Sequence, residues 1–221
     1  MISFFSFIGA ALCLLPAYVQ TPKQPVSTAN YFPLTLGSTW TYEVIIPQVS
    51  SGEVQIFTQE VTVIKVTKDR VGFYAALEYR ENGAVTITEK YHVTQDGIRR
   101  IAGGANASET LVPPLPLIRS PLTPEKTWSW KGKIVQKSGT GGAEAIMSVS
   151  GPEQVDVPAG KFTTLQIHCE QVLIGQLNGK PKRANLPVDY WFAPNVGLVQ
   201  RKVQLPQTTV SIRLKSFKIE H

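Results

Sequence analysis

The residues of this chain that could do chemistry are few and scattered. Three histidines stand at His92, His168 and His221. Serine-based hydrolysis needs a histidine held against the nucleophile. His221 is the last residue here, and His92 and His168 fall inside runs with strand patterning, where an imidazole is ordinarily satisfied or turned to solvent. No Gly-x-Ser-x-Gly elbow occurs. Zinc requires clustered His and Cys ligands, and the two cysteines, Cys13 and Cys169, have no such neighbours in sequence. Gly103-Gly104 and Gly141-Gly142 lack the strand-to-helix setting and the lysine of a phosphate cradle. The expectation is no catalytic residue, no metal and no cofactor.

What remains is one carboxylate and a set of aromatic rings. Glu89 sits in the apolar phase of an alternating run, with Val85 and Ile87 before it and Tyr91 and Val93 after it. A slip in register, a bulge or an edge position would explain it. If it points inward, it marks a polar spot in a cavity with a raised pKa. The rings are Trp40, Tyr42, Trp128, Trp130, Tyr190 and Trp191. In Trp40-Thr-Tyr42 and Trp128-Ser-Trp130 both aromatic side chains must share one face of a strand. They either plug the ends of a core, where aromatics bury large areas, or line a cavity able to hold an acyl chain or a similar ligand. On the second account the ligand-binding candidates are Trp128, Trp130, Tyr190, Trp191 and Glu89.

The elements that would position them are strands. Val71, Phe73, Ala75, Leu77 and Tyr79 alternate, as do Thr163, Leu165, Ile167 and Cys169, and then Val210, Ile212 and Leu214. Val, Ile, Thr and aromatics dominate these runs, as half-buried pleated surfaces favour. No dozen-residue window carries a capped helical stripe. Alternation puts Cys169 on an apolar face, as a small core residue, with His168 on the opposite one. Asn82-Gly83 and Asn178-Gly179 suit tight primed hairpins. Val157-Pro-Ala-Gly160, Gln95-Asp-Gly97 and Pro194-Asn-Val-Gly197 read as further reversals.

The chain also repeats itself. Pro33-Leu-Thr-Leu-Gly-Ser-Thr-Trp-Thr-Tyr42 returns as Pro121-Leu-Thr-Pro-Glu-Lys-Thr-Trp-Ser-Trp130, 88 residues on. Tyr91 precedes Gly97 as Trp191 precedes Gly197. These matches predict two similar halves, 31–110 and 125–221, each an antiparallel unit of five or six strands. The linking 111–124 segment holds Pro113, Pro114, Pro116, Pro121 and Pro124. Proline disfavours central strands, so a stiff extended crossover is expected there.

Composition narrows the class. Of 221 residues, 43% are hydrophobic and only 17% charged, which excludes a disordered chain. The net charge of +6 comes from scattered Lys and Arg and gives no nucleic-acid footprint. Ile2 to Leu15 is apolar and uncharged, too short to span a bilayer with margin, and Pro16-Ala17 follows. The expected organisation is a signal peptide at 1–17 and a polar tether at 18–30. An uncleaved N-terminal anchor is the alternative, because no Lys or Arg precedes the apolar run. A lipid anchor on Cys13 is disfavoured by Leu12, where a small residue should stand.

Four stretches together resemble a broad group of uncharacterised exported β-rich bacterial envelope proteins. They are Tyr31-Phe-Pro-Leu34 leading to Gly37 and Trp40-Thr-Tyr42, Val157-Pro-Ala-Gly-Lys-Phe162, Trp191-Phe-Ala-Pro-Asn-Val-Gly-Leu-Val199, and Leu214-Lys-Ser-Phe217. The resemblance implies a periplasmic, envelope or secreted location and supplies no activity or catalytic residues. The expectation is therefore an all-β antiparallel fold with little or no helix, its two halves forming one barrel-like or sandwich structure. Its function is that of an exported, non-enzymatic monomer binding an apolar ligand or an envelope protein partner. The alternatives are a structural or assembly protein of the envelope and a hydrolase of unknown type.

Overall fold

The computed structural model describes residues 28–177 and 180–220. The expected signal segment 1–17, most of the expected tether, the expected Asn178-Gly179 hairpin and His221 lie outside them. Thirteen antiparallel strands form one sheet. They are β1 (Thr39–Pro47), β2 (Val54–Lys68), β3 (Gly72–Glu81), β4 (Ala84–Thr94), β5 (Gly97–Gly103), β6 (Glu109–Arg119), β7 (Thr127–Gln136), β8 (Gly139–Val157), β9 (Gly160–Leu177), β10 (Lys180–Asn185), β11 (Val188–Ala193), β12 (Gly197–Gln204) and β13 (Thr209–Lys218). Only two short 3-10 turns, Thr28–Tyr31 and Ala105–Ala107, interrupt the β structure among the described residues.

The sheet closes on itself. β8 pairs with β9 from Gly142 opposite Ile174 to Val157 opposite Gly160, which completes a twelve-strand barrel. β10 and β11 share the other edge of β9, β10 alongside Val172 to Leu177 and β11 alongside Leu165 to Cys169. Closure leaves no long open edge to recruit another strand. The chain order gives two meanders, β1–β6 and β7–β13, joined at the β13–β1 and β6–β7 seams.

Period two decides what fills the barrel. On β1 Trp40, Tyr42 and Val44 are buried while Thr41 and Glu43 are not; on β7 Trp128 and Trp130 are buried while Ser129 and Lys131 face out. Ala143, Ala145, Met147 and Val149 do the same on β8. The inner face is apolar and the outer face carries charge, including the Lys131–Glu144 and Arg183–Glu144 ion pairs. A lipid-embedded barrel has the reverse arrangement, with its apolar band outward. The Asn82-Gly83 reversal has φ of 50° and 79°, the left-handed pair that a primed two-residue hairpin requires.

One expectation is corrected. The proline-rich segment is not a crossover outside the sheet; most of it is strand β6, which pairs with β5 from Gly97 opposite Arg119 to Gly103 opposite Glu109. The prolines act on the other edge. The β6–β7 ladder consists of Thr110–Val135, Leu111–Ile134 and Val112–Lys133 and stops where Pro113 begins, because proline has no N–H to donate. Beyond it two indoles bridge the seam. Trp130 Nε1 donates to the Pro113 carbonyl at 3.0 Å and Trp128 Nε1 to the Pro116 carbonyl at 2.7 Å. Gly132 makes room for this: a Cβ there would lie 2.4 Å from the Trp130 ring and 2.8 Å from the Val112 carbonyl.

Candidate ligand-binding site

The barrel interior is organised in three levels. At the end carrying the β4–β5 and β11–β12 turns, the segment before β1 folds in as a plug. Phe32 packs on Trp40, Tyr91 and Phe192 with ring centroids 6.0, 5.5 and 5.7 Å away. The Asn195 amide donates to Asn30, and Trp40 Nε1 donates to the Val196 carbonyl at 2.6 Å. This end is closed.

Above the plug lies a polar layer. Glu89 on β4 is inward and only 6% exposed. Its Oε2 accepts hydrogen bonds from Tyr79 Oη at 2.6 Å and from Tyr91 Oη, and its Oε1 lies 3.5 Å from Arg100 Nη1. Arg201 of β12 approaches the same group. The layer is built symmetrically: Tyr91 stands opposite Arg100 across β4–β5, and Tyr190 stands opposite Arg201 across β11–β12. Two tyrosine–arginine cross-strand pairs thus come from corresponding strands of the two meanders.

The charge state of this layer follows from its contents. Burial alone pushes the Glu89 carboxyl up, but Arg100, Arg201 and the two tyrosine hydroxyls outweigh it and hold Glu89 below its ordinary value. The raised pKa expected for an inward Glu89 is therefore overturned; the missing part of that expectation was the pair of arginines. Burial, and then the Glu89 charge, drive Tyr79 and Tyr91 well above the ordinary phenol range. Burial lifts Tyr190 to about 12. Burial disfavours both guanidinium charges, yet the acidic groups around them more than offset it and raise both pKa values. At neutral pH the layer holds two cations, one anion and neutral tyrosines.

Beyond the layer, toward the end carrying the β5–β6 and β7–β8 connections, a cavity of about 410 Å³ opens. Arg100, Arg201 and Tyr190 contribute to its lining, with Leu111, Leu115, Trp130, Ile134, Leu173 and Val188 among its apolar walls. Glu109 and Gln136, bonded to each other at 2.7 Å, also line it. The volume falls in the ~300–1,000 Å³ range of small-molecule sites, and apolar walls with a few convergent polar groups are their usual chemistry.

The five candidates from the sequence separate here. Trp130 and Tyr190 line the cavity. Glu89 belongs to the polar layer through the hydrogen bonds it accepts from Tyr79 and Tyr91 and its ion pair with Arg100. Trp128 is buried at the β6–β7 seam. Trp191 does not join them: its Nε1 donates to Glu153 and Lys202 sits 5.4 Å over its ring. Alternation sends it to the side opposite Tyr190. Arg100 and Arg201 were missed. A signal existed, because Arg100 lies between Ile98 and Ala102, and Arg201 between Val199 and Val203, the pattern that singled out Glu89.

Two further chemical groups are accounted for. His168 is on the outer face, with Nδ1 2.7 Å from Asp189 Oδ1 and Nε2 3.3 Å from Glu170 Oε1. The bond to Asp189 is the main reason its pKa is raised. Ser148 stands opposite it across β8–β9. Cys169 is buried, and burial pushes its thiol up to about 12. Among the described residues no group of His, Cys, Asp and Glu is placed to hold a metal ion.

No family model and no curated protein matches this chain. Two solved structures do. A candidate lipoprotein of Parabacteroides distasonis ATCC 8503 aligns with a TM-score of 0.53 at 15% identity, over 85% of this chain and 98% of that one. A candidate exported protein of Bacteroides fragilis NCTC 9343, described as having a YmcC-like fold, aligns with a TM-score of 0.52 at 12% identity and the same coverage. At such identities the likeness is one of architecture, and this chain shares the all-β barrel fold of those two proteins.

Proposed function

We propose that this is an exported, non-enzymatic protein that binds an apolar ligand in the open end of its barrel. The observation that carries the reading is the 410 Å³ cavity, walled by aliphatic side chains and Trp130 and floored by a polar layer. A barrel whose core were complete would have side chains there. Export is supported by the apolar segment from Ile2 to Leu15 and by the descriptions of the two structural neighbours as candidate lipoprotein and exported protein.

The non-enzymatic part is supported by the state of the nucleophiles and bases. Both nitrogens of His168 face carboxylates, which leaves neither to take a proton from Ser148. The Cys169 thiol is buried and far from ionisation at neutral pH. Duplication of a six-stranded unit is the simplest account of the two meanders and their matched tyrosine–arginine pairs.

The test is extraction of the protein purified from its own host under denaturing conditions, with mass spectrometry of the extract, alongside titration with the neutral fluorophore N-phenylnaphthylamine. A stoichiometric apolar compound and saturable fluorophore binding are expected. An empty extract together with no fluorophore binding would refute the reading.

A further inference from the structure

We infer that the cavity takes a single-chain amphiphile, with its anionic head against Arg201 and Arg100 and its alkyl chain lying along the apolar walls toward the mouth. The inference rests on the reading of the cavity as a ligand site and adds the chemistry of the head group.

Three observations carry it. The first is a charge imbalance. Two guanidinium groups face one carboxylate inside the barrel, and among the described residues Glu89 is the one carboxylate in ion-pair contact with either of them at this level. Arg201 has no ion pair of its own among the described residues. Arg201 is half-buried, a setting in which a cation without a paired anion is unfavourable, and an anionic ligand supplies the second negative charge.

The second is hydrogen-bonding capacity. The Nε atoms of both Arg100 and Arg201 are buried without a partner, whereas buried donors in proteins are nearly always satisfied. Guanidinium forks match carboxylate and phosphate oxygens in geometry as well as charge. The Tyr190 hydroxyl, held neutral by burial, stands across from Arg201 and is a further donor to an anion.

The third is polarity along the cavity. The cations are at the inner end, next to Glu89 and its tyrosines. Glu109 is near β7's far end, bonded to Gln136. An anionic head is thus drawn inward, and the alkyl chain meets Leu111, Leu115, Ile134 and Leu173. About 410 Å³ lies low in the ~300–1,000 Å³ range, which suits one alkyl chain better than two. A neutral lipid would fill the same walls and leave Arg201 without a paired anion.

The experiment is displacement of N-phenylnaphthylamine from the purified full chain, stripped of lipid, by dodecanoate, dodecyl phosphate and dodecanol below their aggregation limits. One or both anions should displace the fluorophore at a concentration lower than dodecanol by about tenfold or more, the discrimination expected of a charge-assisted hydrogen bond. Whichever anion is stronger identifies the head as carboxylate or phosphate. Arg201→Gln should bring the anion-to-dodecanol displacement ratio close to one, and a ratio as large as in the unaltered protein would overturn the head-group assignment. If that variant does not fold, the three-ligand series on the unaltered protein decides alone. Equal displacement by dodecanol and both anions would overturn the head-group inference and leave the apolar site standing. No fluorophore binding at all would overturn the site itself.

Discussion

Glu89→Gln is the most informative single change, because it removes one charge and almost no volume. Glu89 is 6% exposed, accepts from two tyrosine hydroxyls and faces Arg100 at 3.5 Å. A glutamine retains one carbonyl acceptor for the tyrosines but leaves two half-buried guanidinium groups with no counter-ion. Removing one side of a buried ion pair lowers stability by about 3–5 kcal/mol. That is a large share of the ~5–15 kcal/mol that holds a typical domain together. At about 2–4 °C per kcal/mol for a chain of this size, the melting temperature should fall by ~10 °C. The assay is urea unfolding followed by tryptophan fluorescence at pH 7, repeated down to pH 3.

The pH dependence has a definite sign. The folded pKa of Glu89 lies below its ordinary value of 4.5. As pH falls through 4.5 the unfolded chain therefore takes up its proton first, and stability is lost progressively down to the folded pKa. Above 4.5 that stabilisation is complete. The difference in stability between the parent and Glu89→Gln should accordingly be constant near neutrality and shrink in acid. A loss under about 1 kcal/mol at pH 7, or a difference that stays flat into acid, would show that the layer is not held by the Glu89 charge.

Other outcomes are expected elsewhere. Gly132→Ala should destabilise by about 1–3 kcal/mol, as overpacking does, and shift the tryptophan emission, because a Cβ would strike the Trp130 ring and the Val112 carbonyl; unchanged emission and stability would contradict the seam described. NMR titration of His168 should give a pKa above 6.5 that falls back in Asp189→Asn, since the Asp189 bond is its first cause. This contribution to stability is full below pH 6.5 and fades as pH rises through the folded value. Cys169 should resist alkylation at pH 8 until the protein is unfolded, given its burial and a thiol pushed to about 12; rapid labelling of the native chain would refute its placement.

Much of the barrel was legible in the chain because period two is a local property. Val71 to Tyr79, Thr163 to Cys169 and Val210 to Leu214 announce strands without reference to anything distant. The Asn82-Gly83 reversal is specified by two residues that tolerate positive φ. The same alternation put Cys169 and His168 on opposite faces and set Glu89 in the apolar phase, leaving open whether a slip, a bulge or an edge turned it out; the structure turns it in. It failed at β6, where the density of prolines argued against a strand. The strand tolerates those prolines because its ladder with β7 stops at Val112. Grouping Tyr190 with Trp191 as ligand-binding candidates passed over the same alternation, which turns adjacent strand residues to opposite faces.

The sequence by itself therefore determined the all-β class, the positions of most turns, the antiparallel character of the chain and the apolar-phase position of Glu89. Each of these depends on a residue and its neighbours within a few positions. Tertiary structure decided what Glu89 is for. Arg100 and Arg201 are 101 residues apart, and although each stands in an apolar phase, nothing near either in sequence points to the other or to Glu89. Only closure of the sheet brings β4, β5, β11 and β12 around one axis. That turns a carboxylate expected to be neutralised by burial into an ionised one, and leaves an excess positive charge at the floor of a cavity. Burial raises the energy of a lone charge, whereas a partner from across the barrel lowers it. The partner's distance is a property of the fold that no local pattern contains.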